Sequence, residues 1–511
     1  MSLKDMSVKI LRVCFLILSI PGVLLHRLYY RHIYSREDRH SETLLDHEGV
    51  RIDTQEWRKQ SSDSVLQDMT QLLRPTIFLQ QWYPTQDPRK LRPSAWLDGL
   101  RGVAALIVSH HHFYGVFFPS VQYGWARSDA DYHWIQFYFI RILTSGNLMV
   151  SIFFIISGYV LSQRTLQFAR SRQHAKVFEA LSSSVCRRWI RLMLPAVASI
   201  FVNFAAKMCH SDFRKTKSLV QHILAACVDA YSLASPIRLR QYDSQFNNAL
   251  WTIQLEFMGS MLVYLLVLSL GRFRASIRIA IVSALMLQGM SGFDPDKHND
   301  YLVALFTAGL LLAELDILFA SRNSYLGKSW NDRFRNTSFF TLAAGIYIGS
   351  HPRRMNSSPG YVTLYKILPL HSNLWGFERL YLMLGGFLIV GSINFSPILQ
   401  RPFTTTFAQY LGEISFSLYV LHNCIISNIC GPLMSRTVAM FGFMGPDHAV
   451  LSYGCGIALG LVFVVPFTFW VSDLFTRFVD TKSVKLAKEF ELWAMARPEA
   501  DNEGIEVAMV A

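Results

Sequence analysis

The sequence predicts an all-α, polytopic membrane protein, with about ten transmembrane helices in one bundle behind a short N-terminal extension. Two observations carry that expectation. Of 511 residues, 51% are hydrophobic and only 17% charged, where a soluble chain of this length carries about 25% charge. The apolar residues also fall in runs of about 15 to 22, the length a helix needs to cross a bilayer. Mean hydropathy is +0.25. The net charge of +13 fits lysine and arginine held in cytoplasmic loops. A nucleic-acid-binding protein would show a soluble basic domain, and none stands out in the chain. The 7 cysteines have no paired CxxC spacing and mostly sit in or beside apolar runs, which predicts buried thiols. There is neither a zinc-ligand pattern nor a glycine-rich phosphate loop, so no metal is expected.

In chain order, residues 1–94 read as the N-terminal extension. Its hydrophobic segment, 8–26, reads as a short signal or anchor, a further span or an interfacial helix; Arg12 and Pro21 shorten its clean apolar part, and no small-residue cleavage site stands out. The rest of the extension is polar and basic with scattered aromatics, a surface preamble. Residues 95–486 form the membrane domain, and 487–511 a polar tail. Spans are expected at 100–119, 148–164, 189–207, 249–270, 277–291, 301–320, 337–350, 379–396, 408–431 and 450–472. Asp229 interrupts the apolar stretch 218–234, which is assigned to an outer-loop helix. No internal repeat is visible, which removes one common transporter signature.

Loop charge sets the orientation. The loop after the second span carries Arg164, Arg170, Arg172, Lys176, Arg187, Arg188 and Arg191 against Glu179, and is placed in the cytoplasm. Arg272, Arg274 and Arg278 place the loop before the fifth span there too, and Lys482, Lys485 and Lys488 the C-terminus. Asp294, Asp296 and Asp300 place the next loop outside. Arg214, Lys215 and Lys217, and Arg353 and Arg354, fit this arrangement less well. The N-terminal extension is then cytoplasmic, in a secretory-pathway or plasma membrane. The sequon at Asn356 falls outside and that at Asn336 inside.

The chemistry gathers on the first span, WLDGLRGVAALIVSHHHFYGVFFP. At ~100° and ~1.5 Å per residue, Arg101 and His112 share a face about 16 Å apart, with His110 opposite and His111 on a flank. Ionisable groups in a membrane helix are expensive and mark a site, or a polar partner on a neighbouring helix. Arginine suits phosphate through its fixed charge and bidentate fork. A neutral histidine can take a hydroxyl proton near neutral pH. An anion anchor at one end and a base deeper in match a nucleotide-carried group such as acyl-CoA. Arg187, Arg188 and Arg191 at the start of the third span offer a phosphate cradle or a lipid-headgroup patch. Glu256 lies about two turns into the fourth span and needs an arginine or histidine partner. Ser157-Gly158 suggests close helix packing, and Glu314 is expected to snorkel to water. Ser415, Tyr419 and His422 share one face of the ninth span as a polar packing seam.

Taken in order, LDGLRGVAALIVSHHHF, FFIISGYVL, RRWIRLMLPA, LWTIQLEF, YLGEISFSLYVLH and FTRFVDTKSVKLAK resemble the acyltransferase-3 integral-membrane acyltransferases, in style the fungal branch. The resemblance covers residues 95 to 486. It implies a helical bundle that transfers an acyl group, often acetyl, from cytoplasmic acyl-CoA to a hydroxyl of a carbohydrate, lipid or secondary metabolite. It further implies that the family's paired arginine and histidine are Arg101 and His112, its span-four carboxylate Glu256, and its arginine cluster Arg187, Arg188 and Arg191. His112 would serve as general base or carry the acyl group across. His110 or His111 would replace it if the helix is rotated or kinked. The rival readings are a proton-coupled transporter using Arg101, His112 and Glu256 as a relay, and a non-catalytic scaffold. Acceptor-dependent cleavage of a CoA thioester separates them.

Overall fold

The structure is a computed structural model that describes residues 91–129, 131–235, 242–291, 298–323, 328–353, 358–367, 374–442 and 449–495. The hydrophobic segment 8–26, Asn356 and the end of the tail lie outside the described residues. Among those residues the secondary structure is helical throughout. The first three long helices are α1 (Ala95–Phe117), α2 (Gly146–Arg170) and α3 (His174–Met208). After the expected loop helix, α4 (Leu219–Ala234), come α5 (Trp251–Leu270), α6 (Ala275–Ser291), α7 (His298–Asn323) and α8 (Lys328–Gly349). α9 (Leu374–Asn394) and α10 (Thr406–Ile425) follow, and α10 runs through a π-helical turn into α11 (Gly431–Met440). The last span, α12 (Ala449–Phe475), passes through a second π-helical turn into α13 (Thr481–Met495).

Every segment expected to span is thus helical. By length and apolar composition 6 helices qualify to cross a membrane, or 7 if Glu378–Asn394 and Pro397–Thr404, bent by 103°, form one span. The others fall short for physical reasons. α1 is diluted by Asp98, Arg101 and its histidines, and α6 has only 17 residues. α4 and α12 leave Val220, Leu224, Val228, Tyr231, Val450, Val462 and Phe463 exposed. Apolar faces of that extent suit lipid rather than water.

Small residues let the site helices close up. A Cβ on Gly102 would lie 2.3 Å from the backbone of Gly412, which draws α1 onto α10. One on Gly158 would lie 2.3 Å from the Phe306 carbonyl oxygen, so α2 meets α7 there as the Ser157-Gly158 pair suggests. Asn247, before α5, is buried and donates to the Val420 carbonyl at 2.7 Å and to Ser199 Oγ at 3.1 Å, tying α10 to α3. Asp229 of α4 accepts from Tyr242 and Ser244 at 2.7 and 2.6 Å, so the residue that interrupts the apolar run anchors the following loop.

Two expectations need correction. Glu314 does not reach water; it is buried in an ion pair with Arg278, whose side chain is itself only 4% exposed. Arg278 is therefore a core residue of α6 rather than a solvated loop charge, because its fork matches the carboxylate two-to-two. The thiols are also less uniformly buried than expected. Cys424 and Cys430 are buried, but Cys209 and Cys227 are exposed, Cys227 on the apolar outer face of α4.

Candidate active site

The arginine of α1 is held by α10. Arg101 Nε donates to Ser415 Oγ at 3.0 Å and its Nη2 to the Gly412 carbonyl at 3.4 Å, while Asp98 lies 3.4 Å away. The Gly102–Gly412 contact one residue on makes that short reach possible. Across the space from Arg101, Arg188 of α3 pairs with Glu256 of α5 and donates from Nε to Ser260 Oγ at 2.9 Å. The partner that Glu256 requires is thus Arg188. Arg191, three residues on, shares its helix face at ~3.6 residues per turn.

Arg101, Arg188, Arg191 and Glu256 line one cavity of about 160 Å3. Ser157, Thr252, Glu413, Ser415, Tyr419 and Asp480 complete its polar wall. Segments from five helices and the π-helical turn before α13 therefore converge there. The lining holds 3 arginines and 3 carboxylates, so its formal charges cancel. An incoming phosphate must compete with Glu256 for Arg188, and at Arg191, which is exposed to the cavity, with the nearby charge of Asp480. Arg187 does not line it; one residue back turns it ~100°, onto Ser183 and Glu491 of α13.

His112 also lies off this cavity. Its ring packs on His422 of α10 with centroids 5.0 Å apart and meets His111 edge-on at 5.3 Å. His111 Nδ1 hydrogen-bonds the Thr144 carbonyl at 2.6 Å, which fixes its ring to the loop before α2. His110 faces the other way, into a second cavity that His422 also lines. The structure thus gathers the arginines and Glu256 in one place and the histidines in another, with α1 and α10 common to both.

Three residues take a larger part in the site than the sequence assigns them. Tyr419 lines the charged cavity and hydrogen-bonds Thr252 Oγ1 at 2.8 Å. Ser415 positions Arg101. Both belong to the seam on α10 that the sequence assigns to packing ahead of catalysis, so its spacing was the available signal. Asp480 sits in a π-helical turn that no periodicity reveals.

The comparisons with known proteins complete this picture. Residues 94–477 match the family model of an acyltransferase domain, acyltransferase-3. The chain belongs to the acyltransferase-3 family. It is similar to O-acetyltransferase PaAT-1 of Phomopsis amygdali, 26% identical over 83% of this chain and 88% of that protein. It is also similar to acyltransferase clz18 of Cochliobolus lunatus, 23% identical over 80% of this chain and 97% of the relative. Acyltransferase R4 of a Phoma species is 24% identical over 81% of this chain and 98% of its own length. No solved structure matches. This acyltransferase-3 chain is an enzyme that transfers acyl groups, and its apolar helices make it a membrane protein.

Proposed function

We propose that the protein is a membrane O-acyltransferase that moves an acyl group, acetyl in the first instance, from acyl-CoA to a hydroxyl of a carbohydrate, lipid or secondary metabolite. The observation that carries this reading is the convergence of Arg101, Arg188, Arg191 and Glu256, from three separate helices, on one cavity. Arg191 and Arg101 bind CoA phosphates, and Glu256 holds Arg188 in place between turnovers. His112 is the reacting histidine of α1, as general base or as carrier of the acyl group. The same loop charges that set the orientation put the donor side, both chain ends and Arg187 in the cytoplasm. The relative from Phomopsis amygdali is named an O-acetyltransferase, which supports acetyl-CoA as the donor. Family membership speaks against the transporter relay, because buried ionisable groups alone were its support.

The test is CoA release from acetyl-CoA by purified protein in nanodiscs, across a panel of hydroxylated acceptors. Release that depends on acceptor is expected; an inert protein across the panel would sink the reading. His112→Ala lowers turnover by roughly 10²–10⁴, with the melting temperature unchanged. Wild-type turnover in that variant would remove His112 from the chemistry.

A further inference from the structure

We propose that the second cavity is the acceptor site, that it admits an apolar alcohol from the bilayer, and that His422 receives the alcohol's hydroxyl. This inference rests on the acyltransferase reading above. The cavity, of about 240 Å3, lies between α1, α10 and α12, with Phe113, Leu418, Val464 and Phe469 among its walls. Its basic groups are the imidazoles of His110 and His422.

His422 is 1% exposed, and its Nε2 has no hydrogen-bond partner among the described residues. Its Nδ1 lies 2.6 Å from the Tyr419 carbonyl oxygen. A carbonyl only accepts, so Nδ1 carries the proton and Nε2 presents a lone pair. Buried polar atoms in native proteins are almost always paired, and an orphan at a cavity wall calls for a donor from outside. An alcohol O–H is such a donor. The apolar walls select the rest of the molecule. Beside the imidazoles the lining offers only the hydroxyls of Ser109, Tyr114 and Thr468, so a sugar would set most of its hydroxyls against Phe113, Leu418, Val464 and their apolar neighbours, at a desolvation cost that a mainly apolar skeleton avoids. The exposed part of the lining points the same way: His110 and Val465 are exposed, and Val465 continues the exposed apolar surface of Val462 and Phe463 on α12.

The two cavities lie along the same helix, α10. Tyr419 lines the charged one, and His422, about one turn further along α10, lines the apolar one. The His112 ring packs at a tilt on His422 between α1 and α10. The alcohol oxygen attacks the acyl carbonyl carbon as its proton passes to His422 Nε2. The C–O bond forms and the C–S bond breaks. The CoA thiolate then takes the proton from the imidazolium, leaving ester and CoA thiol.

Photolabelling in nanodiscs tests the site independently of turnover. The probe is hexadecanol bearing a mid-chain diazirine, compared with its deoxy twin. The alcohol is expected to label the segments 106–114, 418–430 and 461–469 that line the cavity, outcompeting the twin by roughly 5- to 10-fold. His422→Leu should erase that advantage while the twin's labelling persists. Val464→Trp should remove labelling by both. Equal labelling by the two probes in the unmodified protein would mean a groove for lipid chains and overturn the proposal, as would labelling outside these segments. CoA release measured alongside separates the two readings. Alcohol-specific labelling without CoA release defeats the acyltransferase reading, and CoA release without it defeats this site alone.

Discussion

Two walls of the bundle carry the same chemical pair in different settings. Between α6 and α7, Arg278 and Glu314 are sealed, their side chains 4% and 1% exposed. Between α3 and α5, Arg188 and Glu256 are 13% and 14% exposed, and both border the charged cavity. The sealed pair can only neutralise itself. The cavity pair can exchange one partner for a ligand, because a phosphate oxygen can replace a carboxylate oxygen on the guanidinium fork. A buried ion pair is therefore no sign of a site; access decides. Ser260 makes the same point, since it steadies Arg188 through Nε while Glu256 takes Nη2, the nitrogen a ligand oxygen would compete for.

The largest expected effect breaks the sealed pair. Glu314→Gln strands Arg278 in the core and should cost about 3–5 kcal/mol of stability. The double change Arg278→Met with Glu314→Leu should recover most of that loss, since apolar replacement of a sealed pair is often neutral. Thermal unfolding in detergent measures both. KM for acetyl-CoA should stay at its original value in whatever fraction folds. A KM change would show that the α6–α7 wall takes part in donor binding after all.

The cavity pair should respond in the opposite currency. Arg191→Ala removes a charged donor from the cavity and should raise KM for acetyl-CoA roughly 10-fold or more, with little change in melting temperature. Arg188→Ala should raise KM similarly but also lower stability, because it leaves Glu256 without its partner. The contrast between the two variants is the informative quantity. If both leave KM unchanged, these arginines serve lipid headgroups rather than the donor.

The sequence made one of these walls legible and hid the other. Glu256 sits mid-span, where a carboxylate demands a partner, and the dense arginines of RRWIRLMLPA supply it. Arg278 and Glu314 both lie near span ends, where periodicity and charge cannot separate a snorkelling side chain from a sealed pair. Only the packing of α6 on α7 decides. The helices themselves were readable because lipid-length apolar runs leave few alternatives. The division of the site was not. Helical phase puts Arg101 and His112 on one face, but α10 crosses that face. Its Ser415 takes up Arg101, and its His422 takes up His112, separating the charged cavity from the histidines. Such a partition depends on which residue of a second helix stands opposite, which spacing along one helix does not encode.

The smallest expected effect sharpens the comparison with a third pair. Arg187 bonds Glu491 at 3.0 Å on the outer side of α3, with side chains 42% and 15% exposed. It is adjacent in sequence to Arg188 yet faces α13 rather than the cavity, and solvent screening should hold the worth of its pair to about 1 kcal/mol or less. A double-mutant cycle with Arg187→Ala and Glu491→Ala should show that small coupling in thermal unfolding, and KM for acetyl-CoA should not move in any of the three variants. The family resemblance assigns all three arginines to the donor, so this cycle tests access against motif membership directly. A KM rise in Arg187→Ala that Glu491→Ala does not share would place donor phosphates at the α3–α13 edge. An unmoved KM beside a raised one in Arg191→Ala would confine them to the cavity face of the same helix.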